Sequence, residues 1–178
     1  MLDPMAEDER VFIRSLMDGH PRFPDGRVDY SAAIAAPVIH ALCAAEGEVL
    51  VLKRSPKLRL YPSRWSGVTG FIDRDESLAA TVVREIHEEL GITVEIADIR
   101  IAERVDVEDR SAGRTWHVYP ALVHLEKRFS PALDWENQSH QWTTPAVAQT
   151  LPAVPGFSEI IETLTMGDNR GDRWIKDK

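Results

Sequence analysis

The stretch Gly70-Phe71-Ile72-Asp73-Arg74-Asp75-Glu76-Ser77-Leu78-Ala79-Ala80-Thr81-Val82-Val83-Arg84-Glu85-Ile86-His87-Glu88-Glu89-Leu90-Gly91-Ile92 decides the reading of this chain. Its first part reads as a loop and the rest as a helix. Asp75 or Ser77 can cap the helix start, because either side-chain oxygen accepts from backbone N–H groups left unpaired in a first turn. Gly91 stands where a left-handed C-terminal cap is wanted. Between them Ala79, Val82, Val83, Ile86 and Leu90 recur at three- and four-residue steps and form an apolar stripe. Glu85, Glu88 and Glu89 are spaced i, i+3, i+4, so three carboxylates share one face beside that stripe.

Like charges at this spacing repel, each close pair by roughly 0.2–0.5 kcal/mol on an exposed helix. Arg84 can pair with one of them. A hard divalent cation suits the others, because Mg²⁺ takes oxygen ligands and keeps waters for a phosphate-bearing substrate. Three glutamates alone describe a solvated acidic face just as well. That reading leaves unexplained the glycine-containing loop and the further Glu76 ahead of them. Gly70, Glu76 and the run Arg84-Glu85-Ile86-His87-Glu88-Glu89-Leu90-Gly91-Ile92 together resemble a complete Nudix box, with every defining position filled. One flanking position departs: many members have two glycines at the loop, and here the pair is Thr69-Gly70.

The resemblance implies an α/β Nudix fold, a mixed β-sheet between α-helices. It implies metal-dependent hydrolysis of a nucleoside diphosphate linked to another group, with Mg²⁺ or Mn²⁺ as cofactor. Carried over by position, Glu85 and Glu89 are direct metal ligands, and Glu88 binds metal directly or through water. Thr69 contributes its backbone carbonyl as a further ligand. Arg84 orients a box glutamate, while Gly70, Glu76 and Gly91 shape the box. Many relatives add an acid from a later loop. Glu136, in Asp134-Trp135-Glu136-Asn137, is the first choice here, with Glu103 and Glu108 in reserve. That segment, and Trp65 to Gly70, are similar to the deoxynucleoside and dihydroneopterin triphosphate pyrophosphohydrolase branch, although Asn137 stands where a histidine is usual. Two alternatives follow from the same resemblance: a non-catalytic nucleotide-binding regulator and an isoprenoid diphosphate isomerase. The regulator commonly lacks box glutamates that this chain keeps. The isomerase needs a catalytic cysteine in a loop, and Cys43 lies in an apolar stretch.

The remaining sequence sets bounds. A chain of 178 residues suits one domain with a real core. Acidic residues outnumber basic ones, 29 to 21, for a net charge of −8, which argues against extended nucleic-acid binding but not against a small nucleotide. No apolar run approaches the roughly 20 residues that span a bilayer. The acidic start of the chain does not resemble a secretory signal, and a single cysteine forms no intrachain disulfide. The expected setting is cytoplasmic.

In order, residues 6 to 18 read as an amphipathic helix with Val11, Phe12, Leu16 and Met17 inward, ended by Gly19 and Pro21. This arm, 1–31, precedes the expected domain at 32–166 and a polar tail at 167–178 in which Trp174 is a candidate anchor. Whether the arm packs on its own domain or on a second copy in a homodimer stays open. Residues 32–44 and 49–53 read as a hairpin about Glu46-Gly47-Glu48. Arg54 follows, with a basic loop holding Lys57, Arg59 and Arg64. Arg54 is the candidate phosphate contact, since its planar fork matches phosphate oxygens. Trp65 is either core or the border of a base-stacking pocket. Residues 93–103 and 104–106 read as strand-like, 108–114 as a turn about Gly113, 115–125 as a strand and 157–166 as a last helix.

Overall fold

The computed structural model describes residues 7–166. The start of the expected first helix and the tail with Trp174 lie outside the described residues. Helix α1 (Glu7–Met17) has Glu7, Asp8 and Glu9 in its first turn, where carboxylates complement the helix dipole. It buries Ile13 and Met17, and leaves Val11, expected inward, 58% exposed. Specific docking sets this rotation. Arg104 pairs with Glu9 at 2.9 Å and lies over the Phe12 ring at 4.1 Å, and Phe12 meets His117 edge-on. The Tyr119 hydroxyl also donates to Glu9 at 2.7 Å. The arm therefore packs on its own domain.

One mixed sheet of eight strands forms the centre. Strands β1 (Ala35–Ala45), β2 (Glu48–Arg54), β3 (Trp65–Ser66), β4 (Val68–Phe71), β5 (Ile99–Ile101), β6 (Val105–Asp109), β7 (Arg114–His124) and β8 (Asn137–Thr143) follow in chain order. β1 and β7 run parallel from Ala35↔Thr115 to Ala44↔His124. Consecutive buried residues along Ala41 to Ala45 show that both faces of β1 are covered, which requires layers on either side. Helix α2 (Leu78–Leu90) packs on β1, β4 and β5, α3 (Pro145–Ala148) on β2, and α4 (Phe157–Met166) on β7.

The β1–β2 hairpin forms as expected, with φ of 54° at Glu46 and 79° at Gly47, the geometry that suits the twist of a tight hairpin. It pairs only at Ala44↔Val49 and Ala45↔Glu48. Beyond that, β4 takes the edge of β1, and β2 turns to β3 and β8. Residues 93–103 correct the expectation of one long strand. A 3-10 turn at Ile96–Asp98 precedes a strand of three residues. The cause is competition for one edge of β7: β5 pairs over Ile99↔Val123 to Ile101↔Ala121, and β6 takes over from Val105↔Val118. β6 in turn reaches Asp109, into the expected turn.

Gly67, between β3 and β4, is fixed by packing. Its N–H donates to Nε2 of buried His40 at 2.8 Å, and burial pushes that imidazole down to about 3, so it stays neutral and can accept. A Cβ on Gly67 would stand 2.4 Å from the Ala41 carbonyl oxygen, which is backbone and cannot swing aside. Gly67→Ala is expected to destabilise by about 1–3 kcal/mol, the range for overpacking a tight core. The shift in urea midpoint measures it, and an unchanged midpoint would show that the strands can separate.

Candidate active site

Ser77, not Asp75, caps α2: its Oγ accepts from the Ala80 N–H at 3.1 Å. Asp75 instead meets Arg14 at the surface at 3.5 Å. Gly91 ends the helix at φ 71°, donating to the His87 carbonyl at 3.0 Å. Leu78, Thr81, Val82, Ile86 and Leu90 are buried between these ends. With that face sunk, Arg84, Glu85 and Glu88 are carried to the wall of a cleft of about 480 Å³.

Gly70 is required by close approach. The Glu85 carboxyl lies over it, so an added Cβ would be 2.2 Å from the Glu85 Cδ. Arg84 holds the same carboxyl, with Nη1 donating to Glu85 Oε1 at 2.6 Å. Its Nη2 donates to Glu76 Oε1 at 2.9 Å and lies 3.8 Å from Asp73. Glu76 is thus tied to the helix through Arg84, and it also accepts from the Thr81 hydroxyl. Glu88 is more open, 3.8 Å from Arg84 Nη1.

Glu89 turns inward and is 5% exposed. Its Oε1 accepts from the Thr69 N–H at 3.1 Å and its Oε2 from Asn137 Nδ2 at 2.7 Å. Glu89 is thus engaged by donors from Thr69 and Asn137, while Glu85 and Glu88 line the cleft. Among the described residues, no three of His, Cys, Asp and Glu form a preformed metal cluster. Repulsion among the box carboxylates is met by Arg84 and by buried donors. Burial pushes Glu85 up to about 7 against the pull of Arg84. Burial likewise pushes Glu89 up to about 8, with the bonds from Asn137 and Thr69 opposing. The donor set still fits a hard cation in kind: carboxylates and a backbone carbonyl, all oxygen.

Glu136 lies on the cleft wall, half-buried, at the end of the connection into β8. Burial raises its pKa, nearby Asp134 raises it further, and Arg54 lowers it. Arg54 lines the cleft too. Its Nη1 donates to Thr69 Oγ1 and its Nη2 to the Leu60 carbonyl, both at 3.3 Å. Its Nε is buried with no hydrogen-bond partner. Thr69 lines the same wall, whereas Trp65 does not. Trp65 packs at the core margin, with the Lys53 ammonium 6.0 Å from its ring centre. Glu103 and Glu108 are exposed and outside the cleft, as are Lys57, Arg59 and Arg64. Cys43 is buried in β1 and its thiol is pushed up to about 12 by burial, so no cysteine nucleophile reaches the cleft.

Several lining residues were not anticipated from sequence. Phe71 and Trp116 stand 6.2 Å apart, and the Trp116 indole N–H donates to the Tyr61 hydroxyl at 2.7 Å. That hydroxyl donates to Asp109. Asp73, 8% exposed, has a buried Oδ1 without a hydrogen bond; burial raises its pKa, and Arg84, Arg27 and Arg74 oppose that rise. Asp73 was hidden in the stretch between Gly70 and Glu76 where no residue type is prescribed. The aromatic residues come from separate strands, which no local pattern brings together.

Two expectations follow. Gly70→Ala should leave the melting temperature nearly unchanged but remove most activity, because the clash falls on the movable end of Glu85; equal activity would show that this carboxyl position is dispensable. Glu85 and Glu89 have folded pKa values above the unfolded range, so their contribution to stability is whole below about pH 4.3 and is lost as pH rises through about 7 and 8. Each can add a slope of up to about 1.4 kcal/mol per pH unit in that window. Glu89→Gln, with no proton to release, should flatten the metal-free melting profile between pH 5 and 8. Stabilisation by Mg²⁺ should grow over the same window as the carboxylates ionise. A mutant profile parallel to the parent would remove Glu89 from this account.

A family model for the NUDIX domain matches residues 32–164. CTP pyrophosphohydrolase of Escherichia coli (strain K12) is 26% identical over 126 residues, 70% of this chain and 87% of that protein. A MutT protein from Methanosarcina mazei Go1 superposes with a TM-score of 0.64 at 24% identity, covering 76% of this chain and 96% of that one. Dihydroneopterin triphosphate pyrophosphohydrolase of E. coli gives 0.59 at 20% identity, covering 74% and 95%. Among the described residues no helix is long and apolar enough to cross a membrane. The chain belongs to the NUDIX family of pyrophosphohydrolases.

Proposed function

We propose that this chain hydrolyses a pyrophosphate bond in a nucleoside triphosphate, or in a nucleoside diphosphate linked to another moiety, with Mg²⁺ or Mn²⁺. One observation carries the reading: Glu85, Glu88 and Glu136 share a cleft with Arg54 and Arg84, while Phe71, Trp116, Leu60 and Val118 give the same cleft apolar walls. Carboxylates for a cation, guanidinium groups for phosphoryl oxygens and flat apolar surface for a base are what a metal–nucleotide complex needs. The similarity to CTP pyrophosphohydrolase supports the triphosphate branch.

Glu85, Glu88, Glu89 and the Thr69 carbonyl are the groups that would hold the cation. When bound, the cation supplies Lewis acidity at a phosphoryl oxygen and lowers the pKa of its water. Arg84 keeps the Glu85 carboxyl over Gly70. Arg54 binds phosphoryl oxygens from the cleft wall. Glu136 takes the proton from the attacking water as oxygen bonds to phosphorus and the bridging P–O bond breaks. Its elevated pKa brings it closer to the value a base needs near neutral pH. The substrate is a small molecule, and extended nucleic acid is disfavoured by the net charge of −8.

A panel of nucleoside triphosphates, nucleoside diphosphate sugars and dinucleotides, assayed with Mg²⁺ for phosphate and pyrophosphate release, tests the activity. No turnover of any of them would overturn it. Glu136→Gln should lower kcat by about 10²-fold or more while changing KM little, as expected for a proton-accepting group that acts in the transition state. Parent-like kcat would remove Glu136 from the chemistry.

A further inference from the structure

The arm ahead of the family domain forms part of the cleft. Asp25 and Arg27 line it together with Asp73 and Arg74 of the box loop. The contact is built from backbone as well as side chains. The Val28 N–H donates to the Asp73 carbonyl at 2.9 Å, and the Tyr30 hydroxyl donates to the Ile72 carbonyl at 3.1 Å. Tyr30 stacks on Phe71 at 5.4 Å. Within the arm, Asp25 accepts the Arg27 Nε at 2.7 Å and the Arg27 N–H at 3.2 Å, which fixes one edge of the guanidinium. A guanidinium has five N–H donors in a planar fork, so one fixed edge leaves donors for a second anion.

The arginines that line the cleft fall into two groups with different neighbours. Arg54 belongs to the group with Thr69, Leu60 and Tyr61, where apolar surface suits a nucleoside. Arg27 and Arg74 belong to the other, around Asp73, where both oppose the rise in pKa that burial imposes. We infer that Arg27, with Arg74, forms a phosphate subsite that holds the phosphoryl group farthest from the nucleoside. The arm then makes this enzyme selective for substrates with a free terminal phosphate over those whose second phosphate carries a sugar or another nucleoside. This inference rests on the proposed nucleotide cleft and adds the substrate class.

Binding and turnover test it separately. Calorimetry with inorganic tripolyphosphate in saturating Mg²⁺ should show binding to the parent that weakens about tenfold or more in Arg27→Gln, the range for losing a hydrogen bond to a charged group. The weakening should be partial in Arg27→Lys and absent in Arg110→Gln, an exposed arginine outside the cleft. Thermal melting checks that each variant is folded. In kinetics, Arg27→Gln should lower kcat/KM for nucleoside triphosphates by a similar factor and leave nucleoside diphosphate sugars unaffected. Equal tripolyphosphate affinity in Arg27→Gln and parent, no binding to the parent, or equal loss on both substrate classes would overturn the subsite. Absence of turnover with intact, Arg27-dependent tripolyphosphate binding would overturn the proposed hydrolysis and leave the subsite standing.

Discussion

The site depends on the buried carboxylate of Glu89. Burying such a group costs several kcal/mol unless its oxygens are satisfied. Here both oxygens accept, one from the Thr69 backbone and one from the Asn137 amide. Those bonds join three elements: the box helix, strand β4 and the first residue of β8. Asn137 pairs with Arg54 where the β2–β8 register shifts between Lys53 and Arg54. Such irregularities re-aim side chains beside functional sites. By anchoring Asn137, Glu89 helps set where Glu136, the preceding residue, and Arg54, its strand partner, face the cleft. A glutamate placed among the cation ligands by resemblance thus also has a structural task in the protein without metal.

The sequence was most legible where pattern and local chemistry agree. The α2 stripe, its glycine end and the Glu46-Gly47 turn need only helical periodicity and left-handed backbone, and all three stand as read. Legibility failed where a strand's partners decide its form. β8 reads Asn-Gln-Ser-His-Gln-Trp-Thr, and most of its positions are only partly buried, so no alternation of apolar and polar residues marks it. β3 and β4 are too short for any period to show. Within the cleft, Glu85, Glu88, Arg84, Glu136, Arg54, Thr69 and Gly70 could be named because the box or a simple charge argument singles them out. Phe71, Trp116, Tyr61 and Asp73 could not, since what matters is their meeting across the sheet.

Arginines rather than net charge shape the local field. The chain is acidic overall, yet Arg27, Arg54, Arg74 and Arg84 all border the one cleft. Three are tied to fixed acceptors, Arg27 to Asp25, Arg54 to Thr69 and Leu60, and Arg84 to Glu76 and Glu85, while Arg74 lies 3.8 Å from Asp73. Tethered guanidinium groups lose less freedom when an anion arrives, so under the proposed function they would bind phosphate at lower cost than free surface lysines.

Under the proposed function, the same arrangement would link cation and substrate. Burial raises the pKa values of Glu85 and Glu89 to about 7 and about 8, so keeping both ionised near neutral pH has a cost. A divalent ion held there would favour the ionised form, because a near positive charge inverts the cost of burying a carboxylate. The ion in turn offsets repulsion between those carboxylates and a polyphosphate. Neither partner alone meets a favourable field: the nucleotide faces carboxylates, and the cation must displace protons. Together they meet both the carboxylates and the arginines in one step. Under the proposed function, the site would therefore favour entry of the nucleotide as its metal complex, with the free energy of filling the site shared between the two.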